Sequence, residues 1–159
     1  MNELVLVCSF GIGFVAGLRS MTAPAIVSWA AYVGWLEVPH GPFWWIASVP
    51  VVILLTAWAL FELVMDKTPR LGNRTGPLGL MFRIVTSSLS GAVIYSASGA
   101  GLALGIAAGL LGGMIGTFGG YHLRKTLVER SSIGDFPIAI AEDVIAIGLG
   151  LLCVYLPGH

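Results

Sequence analysis

Gly17-Leu18-Arg19-Ser20-Met21-Thr22-Ala23-Pro24 is the stretch whose reading decides how this chain folds. It interrupts a hydrophobic run from Leu4 to Leu36 and places an arginine and a proline inside it. One continuous helix over those 33 residues would be about 50 Å long, against a hydrocarbon core about 30 Å thick. The run must therefore bend, break or lie partly along a surface. The break carries a charge that lipid accepts only with a partner or water beside it.

The rest of the chain has the same apolar character. Of 159 residues, 57% are hydrophobic and 10% charged, where a soluble domain carries about 25% charged residues. Mean hydropathy is +0.91. These values place residues 1–159 in one integral membrane domain, all-α and polytopic. No basic run or aromatic-basic interleaving points to nucleic acid. Met1-Asn2-Glu3 lacks the positive n-region of a secretory signal and no small-residue cleavage site follows, so the first segment reads as a retained helix. Cys8 and Cys153 fall in apolar segments and read as small buried hydrophobes.

Six apolar segments follow one another, at about 4–18, 24–36, 44–65, 79–97, 101–121 and 137–156. Their connectors carry turn chemistry, such as Pro39-His40-Gly41-Pro42 and Pro69 to Pro77. Thr22 before Pro24 and Asp135 before Pro137 have the form of an N-cap followed by an early-turn proline. With six crossings, the connectors 19–23, 66–78 and 122–136 share one side. They hold Arg19, Lys67, Arg70, Arg74, Arg124, Lys125 and Arg130, and Arg83 lies about one turn into the fourth segment. Glu3, Glu37, His40, Trp35, Phe43, Trp44, Trp45 and Tyr155 fall on the other side. This is the pattern of basic cytoplasmic loops and an aromatic belt, with both termini outside.

A five-crossing alternative takes 4–24 as one span and lays 25–36 on the outer surface, which strands Arg19 near the outer face. Six crossings keep the basic residues together and make the first two segments a hairpin of short helices. Its tip then sits recessed in the membrane, where irregular backbone must be buried in protein or line a wet cavity. A faint echo, Gly11 to Arg19 against Gly116 to Arg124, suggests that segments one–two and five–six are related units.

Chemistry concentrates at the inner side. Glu142 and Asp143 lie five and six residues beyond Pro137, and Glu62 and Asp66 stand at i and i+4 at the end of the third segment. With Arg19, Lys67, Arg83, His122 and Arg124 they form the candidate substrate- or ion-binding set. Gly17 and Pro24 are the candidate hinge or helix break. One reading pairs the charges structurally, Arg19 with Glu142 or Asp143 and Asp66 with Arg83 or Lys67. The other makes them a polar site for an ion, a proton or a small anionic solute. In the fifth segment, Gly101, Gly105, Gly109 and Gly113 recur every four residues, with a second row at Gly112, Gly116 and Gly120. Such rows let helix backbones approach closely, within the subunit or across a homodimer.

No P-loop, nucleophile elbow or metal-ligand spacing is present, so no catalytic residue, metal or cofactor is assigned. The reading is a small transporter or channel-like protein, with a non-transporting structural or lipid-interacting protein as the alternative. A membrane enzyme acting on a lipid headgroup has the least support. The partners expected are the lipid bilayer, including anionic headgroups at the 66–77 loop, and a second copy of the chain.

Ala16-Gly17-Leu18-Arg19 with Pro24, Glu62-x-x-x-Asp66-Lys67-x-Pro69, His122-x-Arg124, Pro137 and Glu142-Asp143 together resemble a family of small bacterial membrane proteins. That family is catalogued as a domain of unknown function, number four-one-two-six. The resemblance implies an inner-membrane location and no established activity. It supports the polar positions and leaves their role open.

Overall fold

The hydrophobic run breaks where the arginine stands. In a computed structural model, which describes residues 2–38, 41–65, 77–99, 101–130 and 135–158, α1 (Asn2–Leu18) ends one residue before Arg19 and α2 (Thr22–Val33) begins three residues after it. Then follow α3 (Val49–Met65), α4 (Pro77–Ala97), α5 (Leu102–Arg130) and α6 (Asp135–Tyr155). Short 3-10 turns at Trp44–Ala47 and Leu156–Gly158 complete the all-α fold. Three stretches, Pro77–Ala97, Leu102–Arg130 and Phe136–Gly158, are long and apolar enough to cross a membrane. The helices α1, α2 and α3 are apolar and shorter.

Side-chain contacts fix the direction of each helix. Gly11 of α1 lies by Cys153 and Val15 by Gly150, while Arg19 reaches Asp143, so α1 runs antiparallel to α6. Ile26 of α2 also lies against Gly150, and the Trp35 backbone lies against Gly158, so α2 runs back parallel to α6. The first two helices therefore form a hairpin that packs along α6. The short α2 buries nine of its twelve residues, which a helix lying on the outer surface would not do. It ends on Gly34, whose positive φ of 87° suits glycine at a helix C-terminus.

The remaining helices alternate in direction. Trp29 Nε1 donates to Thr56 Oγ1 at 2.9 Å, and Ser20 meets Glu62, so α3 descends beside α2. The α4 contacts run from Tyr95 with Gly105 to Ser87 with Gly113, so α4 ascends beside α5. One end of the bundle thus gathers the hairpin tip, the end of α3, the start of α4, the end of α5 and the start of α6. The other end gathers Glu3, Glu37, Trp35, Phe43, Trp44, Trp45 and Tyr155, with Trp35 and Tyr155 edge to face at 5.6 Å.

The glycine rows are the surfaces on which α5 meets two neighbours. A Cβ on Gly112 or Gly116 would run into the Phe10 or Phe14 carbonyl of α1. One on Gly109 would meet the Ser87 carbonyl of α4, and one on Gly113 would meet the Ser87 side chain. The partners reply in kind: Gly13 and Gly17 of α1 lie against the α5 backbone at Gly109 and at Gly113 to Thr117, and Gly91 of α4 against Gly105. Each glycine costs roughly 1 kcal/mol of helix propensity relative to alanine. Backbone-to-backbone packing offsets that cost with dispersion contacts no larger side chain would permit. Gly101 lies before α5 and has nothing within 4 Å, so the first row begins at Gly105. Gly120 packs on Leu18 of α1.

Four expectations are corrected. The helix does not break at Gly17: the residue is helical, and its bare Cα serves the approach to α5. Thr22 is not the N-cap of α2; Met21 holds that position without a side-chain cap, and Thr22 opens the helix with its hydroxyl buried. Pro24 is the third residue of α2, within the first turn that tolerates proline, so the break itself is Arg19–Met21. The fifth helix runs past residue 121 to Arg130. This also separates the two halves of the sequence echo, because the chain turns at once after Arg19 but stays helical for six residues after Arg124. Cys8 and Cys153 are both buried and free.

Candidate functional site

A helix break inside an apolar bundle exposes carbonyls at one helix end and amides at the next, and each needs a partner. At the tip of the α1–α2 hairpin those partners are charged side chains from neighbouring helices. The guanidinium of Arg83, on α4, donates through Nη1 to the Gly17 carbonyl and to the Leu18 carbonyl, the latter at 3.2 Å. The Thr117 hydroxyl of α5 donates to the Gly113 carbonyl of its own helix at 2.7 Å and lies 3.4 Å from the Gly17 carbonyl. The negative end of α1 is thereby met by a cation.

The opposite arrangement holds at α2. Glu62 of α3 accepts from the Ser20 amide at 2.8 Å, the Ser20 hydroxyl at 2.7 Å and the Met21 amide at 2.8 Å. A carboxylate thus sits just before the positive end of α2, on the two amides that precede its first turn.

Arg19 stands between the two helix ends. It is the largest fully buried side chain, 1% exposed. Its Nη2 lies 2.5 Å from Oδ1 of Asp143 on α6, and Asp143 is also buried. A guanidinium taken out of water this completely requires a close counter-charge, because the penalty for a lone buried ion is several kcal/mol. The tip therefore holds two cations, Arg19 and Arg83, and two anions, Glu62 and Asp143. Three helices, α3, α4 and α6, contribute Glu62, Arg83 and Asp143, Arg19 stands in the break itself, and Thr117 brings in α5 as a fourth helix.

Glu142, adjacent in sequence to Asp143, points to a different neighbour. It pairs with Arg124 of α5 at 3.5 Å, as the ~100° between successive helical side chains requires. Of the two partners considered for Arg19, the structure selects Asp143. Arg83 meets main-chain carbonyls, while Asp66 and Lys67 lie outside the described residues, as do Arg70 and Arg74. His122 is exposed on α5 with its ring against Tyr121, 5.5 Å between centroids, and stands apart from the tip.

The tip is recessed. Asp143, level with Arg19, lies eight residues into α6, and Gly120, level with Leu18, lies ten residues before the end of α5. At ~1.5 Å per residue both helices continue roughly 12–15 Å beyond the tip. Hydrogen-bonding groups that sequence reasoning left out are Ser20 and Thr117. For Thr117 a signal existed, since it is a hydroxyl set four residues after Gly113 in a row of glycines where any side chain must face a neighbouring helix. For Ser20 there was none, because its use depends on where α3 comes to lie.

No curated protein and no solved structure matches the chain. A family model does match, over residues 6–158, and its description is "Domain of unknown function (DUF4126)". The chain belongs to that family.

Proposed function

We propose that this chain is a small membrane transporter or channel-like protein whose polar site is the Arg19–Asp143 pair at the hairpin tip. One observation carries the reading: a buried ion pair, 2.5 Å between charged atoms, stands at a helix discontinuity set back from one end of the bundle. Ionisable groups buried in an apolar helical bundle are expensive, and they mark ion, proton or substrate pathways in membrane proteins. Discontinuous helices form the binding sites of many transporters. Asp143 is the group that would take up a proton or cation, and Arg19 the group that would favour an anion. On this reading the protein is multi-pass in a bacterial inner membrane and works as a homodimer. The basic end, with Arg124, Lys125 and Arg130, faces the cytoplasm, and both termini lie outside.

A second reading is favoured by the balance of charge at the tip. Two cations and two anions each meet an opposite charge or a helix end, so the cluster would serve as a clasp that holds the break closed. Reconstitution into liposomes separates the two. Proton, sodium, potassium and chloride fluxes are measured for the parent and for the paired replacement Arg19→Met/Asp143→Val, which removes both charges with little change in combined volume. The transport reading expects parent flux above protein-free vesicles and its loss in a folded double variant. Flux equal to protein-free vesicles for all four ions, or undiminished in the double variant, leaves the clasp.

A further inference from the structure

We infer that the recess between α5 and α6 is a binding site for one acyl chain of an anionic membrane phospholipid, with the phosphate drawn to Arg124. The inference stands apart from the proposed transport role and uses none of the four charged side chains at the tip.

A cavity of about 260 Å³ lies beside the hairpin tip, between α5 and α6, which make few contacts with one another. Phe14 and Leu18 of α1 form its floor, and Leu123, Leu127, Ile138 and Ile145 its walls. Its volume falls just below the range of pockets for drug-sized ligands, about 300–1,000 Å³. A lining of this kind suits the methylenes of a single chain.

Two polar side chains enter the lining, Arg124 and Glu142, and they face one another at 3.5 Å. Both are mostly buried, so their charges are felt within the recess. Helix length sets their level. At 29 residues, α5 is about 43 Å long, so roughly 13 Å of it, about nine residues, must project beyond a 30 Å hydrocarbon core. The charged residues Arg124, Lys125, Glu129 and Arg130 all lie in its last seven, which identifies the projecting end. Arg124 therefore sits at headgroup level, with Phe14, Leu18, Gly119 and Ile145 of the lining on the membrane side of it and Leu127 and Ile138 toward the projecting end. An amphiphile with a chain and an anionic head matches that order. Basic pockets between helices on the positively charged side of membrane proteins take such heads.

Gly119 makes the idea testable without damage to the fold. It lines the cavity, and a side chain there would meet nothing within 4 Å. Gly119→Leu should fill the space a chain would occupy and improve helix propensity at the same time.

The full chain is purified in detergent with phosphatidylglycerol and phosphatidylcholine of matched chains at equal mole fraction, and retained lipid is counted by native mass spectrometry. The parent should retain one phosphatidylglycerol about fivefold in preference to phosphatidylcholine, the factor expected of one basic side chain near a membrane surface. Gly119→Leu should melt no lower than the parent and retain neither lipid. Arg124→Gln should keep a chain but lose the headgroup preference. Should Arg124→Gln not fold, Glu142→Gln, which removes the carboxylate competing for Arg124, should raise that preference instead. Equal retention of the two lipids by the parent, or undiminished retention by folded Gly119→Leu, overturns the proposal. So does stabilisation by inorganic phosphate equal to that by the lipid, which would make this a site for a free anion.

Discussion

The two flanks of α5 differ in how they are closed. Toward α1 and α4 its glycines bring main chain against main chain, and any Cβ at Gly109, Gly112 or Gly116 would collide with a carbonyl. Toward α6 it makes few contacts, and the gap is an apolar recess crossed by the loose Arg124–Glu142 pair. Both flanks belong to one helix with the same composition. The difference lies in which face the small residues occupy and in what lies opposite. A seam of backbone on backbone has no flexible group that can give way, whereas a seam of long side chains leaves space that lipid or solvent can enter.

Substitutions on the closed flank should have the largest effects. Gly17→Leu would drive a branched side chain into the Gly113 carbonyl and the Thr117 amide, where neither backbone can yield. We expect loss of about 4–5 kcal/mol or more, seen as failure to elute as a monodisperse species in detergent. Tolerance of leucine there would mean that the two helices are not in backbone contact.

The hairpin tip, which abuts the closed flank, comes next. Asp143→Ala would leave the Arg19 guanidinium buried without its counter-charge, at a cost of about 3–5 kcal/mol in thermal or denaturant melts. The paired change Arg19→Met/Asp143→Val should recover most of that stability, since apolar replacement of a buried pair at similar volume is often neutral. If the single variant melts like the parent, the pair is not sealed from water. Glu62→Gln keeps one acceptor for the Ser20 and Met21 amides but removes the charge facing the α2 N-terminus. About 1–2 kcal/mol should be lost, since hydrogen bonds to charged groups contribute about 1.5–3 kcal/mol. A change confined to a few tenths would show that α2 needs no anion at its start.

On the open flank the sign reverses. Gly119→Leu should raise stability by about 0.5–1 kcal/mol, because the helix gains propensity and nothing stands in the way. A lower melting midpoint would show the recess to be closed in solution. Smallest of all, Lys125→Ala breaks an exposed i,i+4 pair with Glu129 at 4.0 Å and should change stability by no more than about 0.5 kcal/mol.

Much of this was legible in the residues. The segment list anticipated six helices because long apolar stretches separated by glycine, proline and charge leave little choice of element. The break was visible because a 33-residue run cannot fit as one span and Arg19 cannot face lipid. The ionisable positions in the apolar segments were likewise marked by their cost. What the residues could not disclose was partnership. Nothing in the order Glu142-Asp143 says which acid turns to Arg19 and which to Arg124, because that depends on the rotation of α6 about its own axis. Arg83 has no acid on its own helix, and its use of the Gly17 and Leu18 carbonyls becomes apparent only once α4 lies against the end of α1.

By itself, then, the sequence determined the element type, the place of the break and the separation of basic from aromatic ends. These follow from local hydrophobicity, helix geometry and the cost of charge in lipid, all readable along one strand of chain. The tertiary structure alone decided that Glu62 meets the amides just before α2, that Gly17 lies against the α5 backbone, and that α5 is closed on one flank and open on the other. Those outcomes depend on how helices distant in sequence are rotated and staggered. Packing of whole surfaces sets that stagger, and no short-range pattern encodes it.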